Sequence, residues 1–235
     1  MTRRRLLEAV GVGASGAVLA AATGSVVGVA VPASVVGALN GVISGWRGVY
    51  EWNRSRGLLA FVLDSTWSLP MTTAGVFANV VGLAQPGSGW VEDLSRRANR
   101  HVYRRGFTPR RGYLITLGNV VSGAGDVERP RRRRLVTDHE DVHCWQARWW
   151  GPLFPVLYVG WMVAGGAVGA VVWLVVRRDD RLAEVVESSA YFLNPFEWWA
   201  YSRDDHWPPS GKVDGFGWQQ PCCRPLAAVQ PRRAR

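Results

Sequence analysis

The chain has 235 residues, 48% of them apolar, and a formal net charge of +10. That length holds one domain or a little more and is long enough to bury a core. Three cysteines, two of them adjacent, do not make a disulfide framework, and no recognised nucleic-acid module surrounds the basic residues, which sets nucleic acid aside as a partner.

Gly and Ala are abundant in long apolar runs with Trp at their ends, a membrane pattern. Arg3, Arg4 and Arg5 precede a run in which Glu8 is the one acid and the next charge is Arg47. A bilayer crossing needs about 20 residues, so residues 1–46 read as an anchor of two helices, roughly 8–30 and 33–46, divided at Pro32. The repeated small residues suit close helix contact in lipid. Residues 2–7 also fit a twin-arginine export signal with Ala20–Ala22 as a cleavage region. The apolar stretch continues to Ile43, which favours a retained anchor.

Residues 56–89 are apolar but interrupted by Asp64 and Pro70, and read as membrane-surface or buried helices closed by Pro86 and Gly87. Asp64 is expected to cap or pair. In 101–125, aromatic and β-branched residues with turn residues between them predict two short strands, HVYRRGF and GYLITLGNVV, joined through FTPRRGY. Residues 94–134 hold twelve Arg against Asp126 and Glu128, so this block carries the whole net charge. It reads as a surface for anionic lipid headgroups, and the positive-inside rule puts it on the cytoplasmic side of a cell membrane.

Residues 137–146 read TDHEDVHCWQ. A helix of 12 to 20 residues fits this window, stopped by Gly151-Pro152. Positions four apart share a helix face, so His139 and His143 can aim two imidazoles at one metal. Glu140 stands where it can take a proton from a water that the metal activates. Zinc would need a third protein ligand and an open position, and neutral imidazoles, so the site would fail at acid pH. Two blander uses compete: a solvated polar helix turn, and a T-x-x-E capping box in which Thr137 and Glu140 cap the helix.

Residues 153–176 contain no charge, a membrane signal by length. Pro155 and Ala164-Gly165-Gly166 also permit a hairpin of two short helices. A second helical region, 182–202, is expected to break at Asn194-Pro195, and the tail from Pro208 is expected to be irregular. Trp145, Trp149, Trp150, Trp198 and Trp199 crowd both helical regions, as an interfacial aromatic belt or as an apolar substrate groove.

H-E-x-x-H-x-x-Q at His139, Glu140, His143 and Gln146, followed by Glu197-Trp198-Trp199-Ala200, resembles gluzincin-type zinc metallopeptidases. The resemblance implies His139 and His143 as zinc ligands, Glu140 as the general base, Glu197 as the third ligand and a peptide or protein substrate. Glu184, Glu187 and His206 are the alternatives for the third ligand, and Asp204 could orient a ligand imidazole. The wider stretch from DHEDVHCWQARWW through AYFLNPFEWWAYS, with GLLAFVLDSTWSLP, is similar to uncharacterised membrane-associated proteins of mycobacteria and related actinobacteria.

The expected architecture is therefore a mainly α, membrane-associated protein with a small β element. It has an N-terminal helical anchor (1–46), a zincin-like domain (47–207) with an apolar hairpin at 153–176, and an irregular tail (208–235). The expected function is zinc-dependent hydrolysis; the alternative is a non-catalytic structural or accessory membrane protein that keeps the helix pair. A single bilayer crossing by 153–176 would put His143 and Glu197 on opposite sides, so the shared metal requires the chain to turn back.

Overall fold

The computed structural model describes residues 3–109, 112–209 and 217–226, and is mainly helical with one three-stranded sheet. The chain divides into two compact units, 1–152 and 153–235.

The first unit opens with α1 (Arg3–Ser25) and α2 (Ala30–Arg47). The break between them falls at 26–29, with Gly28 at φ 76°, and not at Pro32. Pro32 sits in the first turn of α2, where its missing N–H has no intrahelical partner to lose. The two helices run antiparallel along a seam of small residues. Ala33, Gly37, Gly41 and Gly45 recur every fourth residue on α2, facing Gly24, Gly16, Val12–Gly13 and Glu8–Ala9 of α1 in turn. A Cβ on Gly37 would strike the Gly16 carbonyl, and one on Gly41 the Val12 carbonyl. Backbone approach this close is what the Gly/Ala repeat permits. The other faces expose Leu6, Leu7, Val10, Val18, Val31, Val35 and Leu39.

Next come α3 (Ser55–Ser65) and α4 (Leu69–Ala84), the latter with Pro70 in its first turn. After α5 (Glu92–Ser95), the sheet contains β1 (His101–Tyr103), β2 (Ile115–Leu117) and β3 (Val120–Ser122) in the order β1-β3-β2. The expected pairing differs in one respect. GYLITLGNVV is not one strand: it folds on itself at Gly118-Asn119 to pair β2 with β3, while β1 lies parallel to β3. Gly118 has φ 57°, and a side chain there would strike the Met71 carbonyl, so the turn needs glycine. Arg110 and Arg111 of the expected FTPRRGY turn lie outside the described residues.

Asp64, singled out in the sequence, is a pairing residue. It accepts from Arg148 Nε (2.8 Å) and Nη2 (2.9 Å), and from Tyr50 and Asn119. Asn40 donates to the Tyr50 hydroxyl and accepts from Asn119. Beside this network His101 is fully buried, with Nε2 3.0 Å from Ser44 Oγ. Burial, reinforced by the charges of Arg47 and Arg148, pushes its pKa well below 6.5.

The second unit begins with α8 (Leu153–Val175), a continuous 23-residue helix. The expected hairpin within 153–176 is therefore absent. Pro155 falls in the first turn, where it breaks nothing, and Gly165 and Gly169 serve as contact points. Their Cα atoms face Ser189–Ala190 and Val185–Val186. The chain turns back later, beyond Arg177-Arg178-Asp179-Asp180. There α9 (Leu182–Glu187) and a π-helical turn (Ser188–Phe192) return along α8, and α10 (Pro195–Arg203) follows. Residues 217–225 hold no helix or strand and lie on α10, with Trp218 stacked on Trp198 at 4.0 Å.

Among the described residues, two helices, α1 and α8, are long and apolar enough to cross a membrane. Most of α8 is exposed, including Val156, Val159, Val163, Val168, Val171 and Leu174.

Two outcomes follow from these contacts. Gly41→Leu should separate α1 from α2 and lower stability by about 1–3 kcal/mol or more, read as a fall in Tm of the detergent-solubilised chain, whereas Gly11→Leu, where a Cβ meets nothing, should not. Because the folded pKa of His101 is depressed, its contribution to stability is intact above about pH 6.5 and lost as pH falls below that value, with a slope of up to about 1.4 kcal/mol per pH unit. His101→Asn should flatten that slope in unfolding titrations between pH 7 and 5.

Candidate metal centre

The motif lies in one uninterrupted helical run, Pro130–Trp150. It consists of α6 (Pro130–Arg134), a π-helical stretch (Leu135–Glu140) and α7 (Asp141–Trp150), and ends at Gly151. A π stretch is rare and tends to mark functional positions; here it ends on the His139-Glu140 pair. His139 and His143 are buried, with Nε2 atoms 3.1 Å apart and rings edge to face at 76°. Two nitrogens each about 2.0–2.1 Å from a tetrahedral zinc ion stand about 3.3 Å apart, so the pair has the right separation.

His143 Nδ1 lies 2.8 Å from Gln146 Oε1. With that amide oxygen facing the ring, Nδ1 carries the proton and donates, leaving Nε2 as the lone-pair nitrogen that a metal requires. Gln146, fully buried one turn along α7, thus sets both ring orientation and tautomer, as partners of metal-binding histidines commonly do. The sequence places it only as the last letter of the motif.

Glu140 is buried and accepts a hydrogen bond from Thr116 Oγ1 of β2 at 2.6 Å. The capping-box use of Glu140 is overturned. The helical run starts at Pro130, and Thr137 lies inside it, donating to Arg134 O and Asp138 Oδ1. The solvated-turn reading fails as well, since Asp138, His139, Glu140, Asp141 and His143 are all buried.

The opposite face of the helix fastens it to the unit. Asp141 accepts from Arg100 and Arg56. Two turns on, Arg148 pairs with Asp64 with both side chains nearly inaccessible, and its guanidinium lies over Trp145. Cys144, between these groups, is buried, and burial pushes its thiol up to about 12; it is a core residue and not a nucleophile.

In the second unit Glu197 is 2% exposed and accepts from Tyr158 Oη at 2.6 Å. Local chemistry puts it there. Asn194 caps α10 by accepting from the Phe196 N–H, Pro195 occupies the first helical position, and Asn194 Nδ2 donates to the Tyr158 carbonyl. Phe196 packs edge to face on Phe154. Glu197 therefore returns to the first two turns of α8, the end that joins directly to Gly151-Pro152. The chain does turn back within the second unit, between α8 and 182–197 and not within 153–176.

Among the alternatives, Glu184 and Glu187 are exposed, Glu184 facing Arg181. His206 is exposed and held by Asp205. Asp204 is fully buried. Of the carboxylates considered as third ligand, Glu197 alone is withdrawn from solvent. His139, His143 and Glu197 are each buried and each offers one ligand atom; as a donor set, two imidazoles and a carboxylate suit zinc. The tryptophans divide: Trp145 is core, Trp149 and Trp150 are exposed, and Trp198 is covered by Trp218.

Comparisons with protein-family models, with curated proteins and with solved structures find no match to this chain.

Asn194→Ala removes the α10 cap and one hold on Tyr158. It should cost about 1 kcal/mol of stability, seen as a lower Tm, and faster proteolysis within 194–203.

Proposed function

We propose that the chain is a membrane-associated zinc-dependent hydrolase, most simply a metallopeptidase, in which His139, His143 and Glu197 hold the metal and Glu140 is the general base. The observation that carries this reading is the buried imidazole pair, Nε2 to Nε2 at 3.1 Å, with Gln146 holding the tautomer of His143. The gluzincin-like H-E-x-x-H with a downstream Glu supports it, as does the return of Glu197 to the start of α8.

Bound zinc supplies Lewis acidity, which lowers the pKa of a water and polarises a peptide carbonyl. The chain's own residues do the rest. Gln146 holds the His143 ring, and the Tyr158 hydroxyl orients the Glu197 carboxylate. As general base, Glu140 would take the proton from the attacking water at its carboxylate and return it to the leaving amine. Thr116 holds Oε2 of that carboxylate, leaving Oε1 for the proton. On this reading the protein sits in a cell membrane, with the Arg-rich block of 94–134 on its cytoplasmic face against anionic headgroups; the length and apolar character of α1 and α8 support it.

A second reading, a non-catalytic accessory membrane protein, is favoured by one contact. Glu140 is buried and held by Thr116, an arrangement that also serves to fix β2 against the helix.

Metal analysis and turnover separate the two. The purified chain should hold about one zinc, lost in His139→Ala and in Glu197→Ala, and bound about 10–100-fold more weakly in Gln146→Ala. Glu140→Gln should keep its zinc and lose peptide hydrolysis by at least about a hundredfold. Zinc retained with no turnover in the native chain on a peptide library would favour the accessory role; a metal-free chain would remove the hydrolase and leave the accessory role, which needs no metal.

A further inference from the structure

At the end of the α1–α2 hairpin opposite the Gly28 turn lies a cleft of about 660 Å³ lined by Arg4, Arg5, Glu8, Trp46, Arg96 and Arg97. Its size is that of a small-molecule pocket, roughly 300–1,000 Å³. Two arginines come from the first turn of α1 and two from the residues after α5, so segments ninety residues apart converge their guanidinium groups on one space.

These groups are preorganised. Arg97 is held by both oxygens of Glu8 and by the Tyr50 carbonyl. Arg5 and Arg96 share a single oxygen of Glu92, at 3.0 and 3.2 Å. Arg4 is exposed. Four arginines against Glu8 and Glu92 leave two positive charges at the cleft. Guanidinium forks match phosphate oxygens in pairs, and a group carrying one or two negative charges would balance them.

The position selects the source of that phosphate. The exposed apolar surface of α1 starts at Leu6 and Leu7, immediately after Arg4 and Arg5. Trp46 and Trp52 are part-exposed at the same level, and Trp52 Nε1 donates to Glu8. A polar-to-apolar boundary marked by tryptophan is where a bilayer's headgroups lie. We infer that this cleft binds the phosphate of an anionic phospholipid headgroup, with the acyl chains running along the exposed face of α1. This site is distinct from the metal centre; only its lipid source rests on the membrane placement.

The test uses the full chain in neutral detergent and native mass spectrometry with water-soluble dioctanoyl lipids. One dioctanoyl phosphatidylglycerol should bind saturably per chain, about tenfold or more tighter than dioctanoyl phosphatidylcholine, and Arg4→Gln/Arg96→Gln should abolish that preference. The paired control Arg178→Gln/Arg181→Gln, two exposed arginines outside the 94–134 block, should keep it. The cleft variant should also keep its Tm and its zinc content, which separates failure here from failure of the metal reading. Equal binding of the two lipids, or equal loss in the control, overturns the inference as diffuse charge. Glycerol phosphate binding as tightly as the lipid overturns the lipid source and assigns the cleft to a soluble organophosphate.

Discussion

The buried pair of Arg148 with Asp64 is the interaction on which the first unit turns. Its two charges are almost completely withdrawn from water, which costs several kcal/mol per ion unless geometry and additional hydrogen bonds offset it. They are offset. The guanidinium grips both carboxylate oxygens and the Asn99 carbonyl, while Tyr50 and Asn119 satisfy the same carboxylate. Through Asn40 the network reaches α2, and through Asn119 it reaches the hairpin between β2 and β3. One ion pair thus fixes α7 against α2, α3 and the sheet.

That attachment has a consequence for the histidines. A helix held only by apolar contacts can rotate a little about its axis at small cost. A helix pinned by Asp141 at one end and Arg148 at the other cannot. His139, His143 and Gln146 project from the face that these anchors leave over, and Thr116 of the anchored sheet reaches Glu140. The charged residues around the motif divide into two jobs: Asp141 and Arg148 set the helix, and His139, Glu140 and His143 are set by it. Preorganisation of this kind is what a metal centre needs, since loosely held ligands lose affinity.

The second unit reaches the same end by different means. α8 exposes nearly all of its apolar surface and is contacted at its glycines by the returning segment. The close approach at Gly165 and Gly169 repeats the device used between α1 and α2. In both hairpins small residues replace interlocking side chains and let the helix backbones approach closely. Each region that carries a candidate ligand also contains a π-helical stretch, Leu135–Glu140 before His143 and Ser188–Phe192 before Glu197.

Local chemistry was readable in the amino-acid order alone. The i, i+4 spacing of His139 and His143, the Asn194-Pro195 helix start, the stop at Gly151 and the four-residue glycine rhythm of α2 depend only on near neighbours, so the sequence determines them. What it left open depended on distant residues. Pro32 and Pro155 looked like breaks but fall in first turns, because a proline's effect depends on where the helix begins. Ala164-Gly165-Gly166 looked like a turn and is a contact surface, since glycine permits either and only a partner segment chooses. Thr137 with Glu140 matched a capping box, but the helix begins seven residues earlier, and Glu140 binds Thr116 from a strand. The partners of Asp64, the role of Gln146 and the convergence of Arg4 and Arg5 with Arg96 and Arg97 were likewise decided by the tertiary structure. Each is a long-range pairing of polar groups, and burial, which makes an unpaired charge or donor expensive, selects the partner only when the chain is folded.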